Sequence, residues 1–209
     1  MRHERPELKG LYAIADVNVI GQEQLVDQVM SAIKGGAAII QYRNKTGSYQ
    51  QREQDAQALL EVCQKHEVPL IINDDVALAH SLGCDGVHLG RDDMLIREAR
   101  ETLGRGSLIG VSCYDSFQNA LRAQQSGADY VAFGRFFSSN TKPEAVQAQI
   151  ELLHAAKPRL DVPIVAIGGI THDNARTLIN AGADMLAVID GLFGQDDVEI
   201  AAEHFSRLF

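Results

Sequence analysis

At 209 residues, 45% of them hydrophobic, the chain can bury one sizeable core and is short for an eight-fold α/β barrel. A formal net charge of −9 argues against nucleic acid or an anionic membrane as partner, and no apolar run is long enough to span a bilayer. An acidic chain must gather cations locally to hold a polyanion, so basic residues at strand ends carry extra information.

The charged stretch from Met1 to Pro6 lacks the apolar segment of a signal peptide, which predicts a cytoplasmic protein. Residues 1–10 read as an N-terminal extension of a single domain spanning 1–209, with no Ser/Gly/Pro-rich linker dividing it. Cys63, Cys84 and Cys113 stand singly in apolar surroundings, which argues against a disulfide framework or a zinc site.

In chain order, a first strand is expected at Leu11–Ala15, then a helical stripe of Leu25, Val26, Val29, Met30 and Ile33. Gly36 closes that helix, and a strand at Ala38–Gln41 leads into Tyr42-Arg-Asn-Lys45. Leu59, Leu60, Val62 and Cys63 mark the next helix, before a strand at Leu70–Asn73 followed by Asp74-Asp75. Gly83 closes another helix, and the strand Gly86–Leu89 leads into Gly90-Arg-Asp-Asp93. Strands at Leu108–Ser112 and, after Gly127, at Tyr130–Phe133 come next. The second of these opens into Gly134-Arg-Phe-Phe-Ser-Ser-Asn-Thr-Lys142, with Pro143 suited to a first helical turn. A strand at Ile164–Ile167 ends in Gly168-Gly169, and Gly182 precedes a last strand at Met185–Ile189 and an Asp190-Gly191 turn. Helix-closing glycines followed by apolar runs thus recur roughly every 50 residues, with another run inside each interval. The expected fold is a (βα)8 TIM barrel, a closed parallel eight-stranded sheet whose chemistry sits where strands end.

Nearly every polar candidate falls on that rim. Asp74 and Asp93 follow adjacent strands, and paired carboxylates suit a hard divalent cation such as magnesium; helix capping, for which Asp75 and Asp92 are equally placed, is the alternative. Arg43 and Lys45 alternate on an extended segment, a fork and a point charge for phosphate oxygens. Opposite charges ~4 Å apart gain about 4 kcal/mol at an effective dielectric near 20. Ser139-Asn140-Thr141-Lys142 offers hydroxyls, N–H groups and a cation ahead of a helix, and the loops after strands seven and eight often hold phosphate in barrels. Ser112 has no visible triad partner and reads as a hydrogen-bonding group. His88, alternating with Val87 and Leu89, reads as a packed barrel residue.

The ordered set Gln41-x-Arg43-x-Lys45, Ile72-Asn73-Asp74, Gly86-Val-His-Leu-Gly90-x-Asp-Asp93-Met94, Gly110-Val-Ser112, Phe133-Gly134…Thr141-Lys142 and Ala166-Ile-Gly-Gly-Ile170 resembles the thiamine-phosphate synthase family, from about Leu11 to Phe193. The resemblance implies a magnesium-dependent transferase of thiamine biosynthesis. Such an enzyme joins a hydroxymethylpyrimidine diphosphate to a thiazole phosphate and releases diphosphate by a dissociative route. By motif, Gln41, Tyr42, Arg43, Asn44, Lys45, Asn73, Ser112 and Lys142 would serve the pyrimidine diphosphate, with Lys142, Arg43, Lys45 and Ser112 closest to the chemistry. Ser139, Asn140, Thr141, Gly169, Ile189 and Asp190 would hold the thiazole phosphate, and Asp74 and Asp93 the Mg²⁺. The implied partners are these two small molecules, with homo-oligomerisation left open.

Some positions depart from the family pattern. Arg135 and Ser138 stand where proline is common, Ser139 replaces a threonine, and Asp75 occupies an often basic position. Asp190 stands where serine is frequent, so its backbone N–H is expected to bind while its carboxylate turns away, with Arg135 compensating. Two rivals remain: a thiazole tautomerase-like barrel, which needs an acid/base, and a non-catalytic phosphate-binding barrel, which has no need of the two aspartates.

Overall fold

The computed structural model describes residues 8–90, 96–138 and 146–209. Eight parallel strands close into a barrel in chain order: β1 Gly10–Asp16, β2 Ala37–Arg43, β3 Leu70–Asn73, β4 Gly86–Leu89, β5 Leu108–Tyr114, β6 Tyr130–Phe133, β7 Ile164–Ile167 and β8 Met185–Val188. Helices α1 Val17–Ile20, α2 Leu25–Lys34, α3 Tyr49–Lys65, α4 Val76–Leu82 and α5 Ile96–Leu103 lie in the first half. Helices α6 Phe117–Gln125, α7 Glu151–Ala156, α8 His172–Asn180, α9 Asp190–Phe193 and α10 Val198–Ser206 complete the outer ring.

Both faces of the sheet are buried, which is why the strands read as continuous apolar runs rather than alternating ones. Alternation survives as a choice of core. In β1, Tyr12 and Ile14 point into the barrel while Leu11, Ala13 and Ala15 pack against helices. Inside, Ile39, Ile71, Leu108, Val165 and Met185 join Tyr12 and Tyr130 in a filled interior rather than a pore.

The recurrent glycines do what their position predicts. Gly36, Gly83, Gly127 and Gly182 have φ of 94°, 69°, 96° and 115°, a region open to glycine and strained for other residues. The aspartates two residues after three of them close the amino end of the barrel. Asp85 accepts from the Leu70 N–H at 2.9 Å, Asp129 from Ile109 at 2.8 Å and Asp184 from Ile164 at 2.9 Å.

Four expected strands match residue for residue, and the others differ at their ends. β2 continues to Arg43 because Tyr42 and Arg43 pair with Ala15 and Asp16 of β1. β5 continues to Tyr114 through a register irregularity beside Ser112. β8 stops at Val188, and the expected Asp190-Gly191 turn is instead the first turn of α9, capped by Ile189.

Candidate active site

The carboxyl ends of the strands surround a cavity of about 540 Å³. Its floor is Tyr12, Gln41, His88 and Ala132, and its sides include Arg43, Asn73, Ser112 and Tyr114. Gly134, Arg135, Ser138, Gly168, Gly169, Thr171, Ile189, Asp190 and Gly191 close the other side.

Strand parity sorts the β2 residues. Gln41 and Arg43 face the cavity, whereas Tyr42 points outward and donates to Asp55 of α3 at 2.7 Å. Tyr42, expected at the pyrimidine diphosphate, is therefore placed behind the wall, where Asp55 also receives Gln22 and Gln51. Burial, with the Asp55 carboxylate adding to it, pushes the Tyr42 phenol well above its ordinary value. Asn44 is a loop organiser: its Oδ1 accepts from the N–H groups of Thr46 (3.2 Å) and Gly47 (2.8 Å).

The two cations at the end of β2 and just beyond it have anionic partners on different sides. Arg43 Nη1 donates to the buried carboxylate of Asp16, at the end of β1. Lys45 Nζ lies 3.1 Å from Oδ2 of Asp74, after β3. Asp74 is not the helix cap; Asp75 is, accepting from the Leu78 N–H at 3.0 Å. Asp74 instead adopts φ of 64°, with its N–H on the His88 carbonyl and its Oδ2 accepting from Asn73 Nδ2 at 2.7 Å. A carboxylate drawn out of the helix at the rim is a hard oxygen donor of the kind a divalent cation takes. Asp93, Ser139, Asn140, Thr141 and Lys142 lie outside the described residues.

Gly168 and Gly169 are required where they stand. Their φ values are 103° and 61°, and a Cβ would come within 2.2 Å of Arg135 Cβ and of the Ser138 carbonyl oxygen respectively. The loop after β6 therefore lies directly on the loop after β7, tied by Phe136 N–H to Ile167 O and Phe137 N–H to Gly168 O. Asn174 of α8 donates to the Gly169 carbonyl at 3.0 Å and fixes the turn from below.

Beneath the cavity runs a chain of polar side chains. Gln41 Nε2 donates to Tyr12 Oη (2.7 Å), which lies 2.7 Å from Tyr130 Oη. Tyr130 Oη lies 3.2 Å from His88 Nδ1, and His88 Nε2 lies 2.9 Å from Ser112 Oγ. Burial holds both phenols far above their ordinary ionisation range. Tyr12 and Tyr130 escaped sequence reading because aromatic residues in a strand look like core. The inward parity of Gln41 and His88 was the available clue.

A family model described as thiamine monophosphate synthase matches residues 11–192. The chain belongs to the thiamine monophosphate synthase family of enzymes. It is 48% identical over 202 residues to a thiamine-phosphate synthase of Nitrosococcus oceani, covering 97% of this chain and 93% of that one. It is 50% identical over 200 residues to the Thiobacillus denitrificans protein of the same name, covering 96% and 94%. Among solved structures, the thiamine phosphate pyrophosphorylase of Pyrococcus furiosus superposes with a TM-score of 0.87 at 33% identity, over 98% of this chain and 96% of that one. In this thiamine monophosphate synthase family member the cavity joins every described strand end that carries a motif of the family resemblance.

Proposed function

We propose that the chain is a thiamine-phosphate synthase that transfers the hydroxymethylpyrimidine group from its diphosphate to a thiazole phosphate in a Mg²⁺-dependent reaction. The observation that carries this reading is the single cavity shared by Gln41, Asn73 and Ser112 on one side and Gly168-Gly169, Ile189 and Asp190 on the other. One cavity with both sets of groups suits two ligands held side by side.

The pyrimidine methylene carbon loses its bond to diphosphate, and the electron pair leaves with the diphosphate oxygen. The aminopyrimidine ring donates electrons to the resulting cation, and the thiazole nitrogen then attacks it. The protein's task is to stabilise charge on the departing oxygens, so it needs cations and oriented donors rather than a nucleophile. Arg43 and Lys45 hold their charges at the rim through Asp16 and Asp74, pre-positioned at little reorganisation cost. Lys142 is assigned to the same leaving group. Asp74 and Asp93 would hold the magnesium, which supplies Lewis-acid neutralisation of diphosphate charge. The Gly168-Gly169 turn, Ser139 to Thr141 and the Ile189-Asp190 segment would take the thiazole phosphate. The thiols support a reaction without covalent catalysis: Cys63, Cys84 and Cys113 are buried, and burial pushes each up to about 12.

A tautomerase needs a free general base. His88 is the imidazole among the cavity-lining residues, and both its ring nitrogens lie within hydrogen-bond distance of side-chain hydroxyls. The deciding assay supplies both substrates with and without Mg²⁺ and follows thiamine phosphate and diphosphate. Product is expected only with a divalent cation. Full turnover in excess chelator removes the metal from the proposal, and no product under either condition removes the transferase.

A further inference from the structure

We infer that the buried chain Gln41–Tyr12–Tyr130–His88–Ser112 has a fixed direction of hydrogen-bond donation, set by Tyr130 and His88 as positioning residues, and that this direction makes the cavity floor select an aminopyrimidine over its oxo counterpart. The inference rests on the transferase reading for its ligand, but the direction itself is a property of the free protein.

The direction follows from satisfying every buried proton. Gln41 Nε2 donates to Tyr12, so the Tyr12 oxygen is an acceptor and its own proton needs a partner. Tyr12 is buried, and the oxygen within reach is Tyr130 Oη. If Tyr12 donates to Tyr130, the Tyr130 proton passes to His88 Nδ1. The imidazole then carries its proton on Nε2 and donates to Ser112 Oγ. With that bond accepted, the Ser112 hydroxyl proton is left for the cavity. At the other end, Gln41 gives one amide N–H to Tyr12, which fixes the amide so that Oε1 is left as an acceptor. The reverse order at the two phenols would give Tyr12 two donors and strand its proton in the interior, at the cost of an unsatisfied buried group.

The packing around the chain is built for it. Gly110 faces Tyr130 across the β5–β6 ladder, and a Cβ at Gly110 would lie 1.9 Å from the Tyr130 ring, so glycine is what admits the tyrosine. The His88 ring stacks on Tyr130 with centroids 5.7 Å apart, which holds the imidazole in the orientation the two bonds need. Because both phenols stay protonated throughout the neutral range, the chain keeps its full set of protons.

The floor therefore presents the Gln41 Oε1 acceptor and the Ser112 hydroxyl proton. An aminopyrimidine answers with an exocyclic N–H donor and an unprotonated ring nitrogen. An oxo analogue offers a carbonyl in place of the amino group and a protonated ring nitrogen, so acceptor meets acceptor at Gln41 and the Ser112 proton loses the ring lone pair it would meet. A site built around polar groups rejects such a mismatch more strongly than an apolar pocket rejects a change of size.

The test is nitrogen NMR of ¹⁵N-histidine-labelled protein without ligands, paired with steady-state kinetics on the amino and oxo pyrimidine diphosphates. Wild type should show His88 protonated on Nε2. Tyr130→Phe should give a mixture of tautomers, raise the KM for the pyrimidine diphosphate about tenfold, leave the KM for thiazole phosphate unchanged, and narrow the amino/oxo preference. A proton on Nδ1 in the wild type reverses the chain and overturns the inference, as does a Tyr130→Phe protein that keeps both the Nε2 tautomer and the preference. A wild type that makes no thiamine phosphate defeats the transferase reading instead, and the tautomer still decides the direction of the chain.

Discussion

Aspartates close both ends of this barrel, and they do different work at each. At the amino end Asp85, Asp129 and Asp184 each accept an N–H from the preceding strand, and two of them also hold a cation. Arg100 lies 2.5 Å from Asp129, and Lys157 lies 2.5 Å from Asp184. Arg100 goes on to donate to the carbonyls of Gly104, Ser107 and Gly127, so that end is a knot of satisfied bonds. At the carboxyl end, Asp74 is held in a left-handed conformation that serves no helix, with a lysine against it. The same residue type thus completes backbone hydrogen bonds at one end, and at the other stands where the backbone is bent to display it, which is where the proposed chemistry needs it.

Breaking the comparison should separate activity from stability. The largest effect is expected from Asp74→Asn: turnover should fall at least about a hundredfold while the unfolding midpoint barely moves, because on the proposed reading the substitution removes a carboxylate that would hold the magnesium, and it removes no backbone bond. Parallel kinetics and thermal melts check this. A loss of stability matching the loss of activity would place Asp74 with the lower aspartates.

Asp129→Ala is the converse. It strands the Ile109 N–H and leaves Arg100 short of its anion, which should cost about 2–4 kcal/mol in denaturant unfolding, with kcat of the folded fraction preserved. Gly169→Ala tests the coupling of the two loops proposed to take the thiazole phosphate. The added Cβ meets the Ser138 carbonyl in a left-handed turn, so the KM for thiazole phosphate should rise about tenfold with a stability loss of about 1–3 kcal/mol.

The smallest effect separates neither end. The three buried thiols sit at about 12 in the folded chain against an ordinary 9.0. Below pH 9 both states keep these protons, and above it the unfolded chain releases them first. Their contribution to stability is therefore complete at neutral pH and declines as pH rises from about 9 to 12. Urea titrations across that window should show the decline, and native protein at pH 8 should react slowly with a thiol reagent.

Much of this was legible beforehand. The eight strands were visible because a parallel strand buried on both faces leaves an unbroken apolar run, and a helix needs a glycine-friendly end. Asp74 and Asn73 were visible as polar residues at a strand terminus. Tyr42 shows what such reading does not resolve. It lies between two cavity-facing residues, and a segment of a motif does not say which of its members face inward. Asp16, one residue beyond the expected first strand, drew no reading, although its carboxylate holds Arg43.

The order of strands and helices, the glycine turns and the rim position of Arg43, Lys45 and Asp74 were determined by the sequence itself, because each depends on residues close together in the chain. Which side chains share the interior was decided only by closure of the barrel. Tyr12 and Tyr130 are 118 positions apart and meet at 2.7 Å because β1 and β6 point them toward the same axis. No local pattern encodes that distance: it arises when eight strands with a fixed parity are forced around one circle.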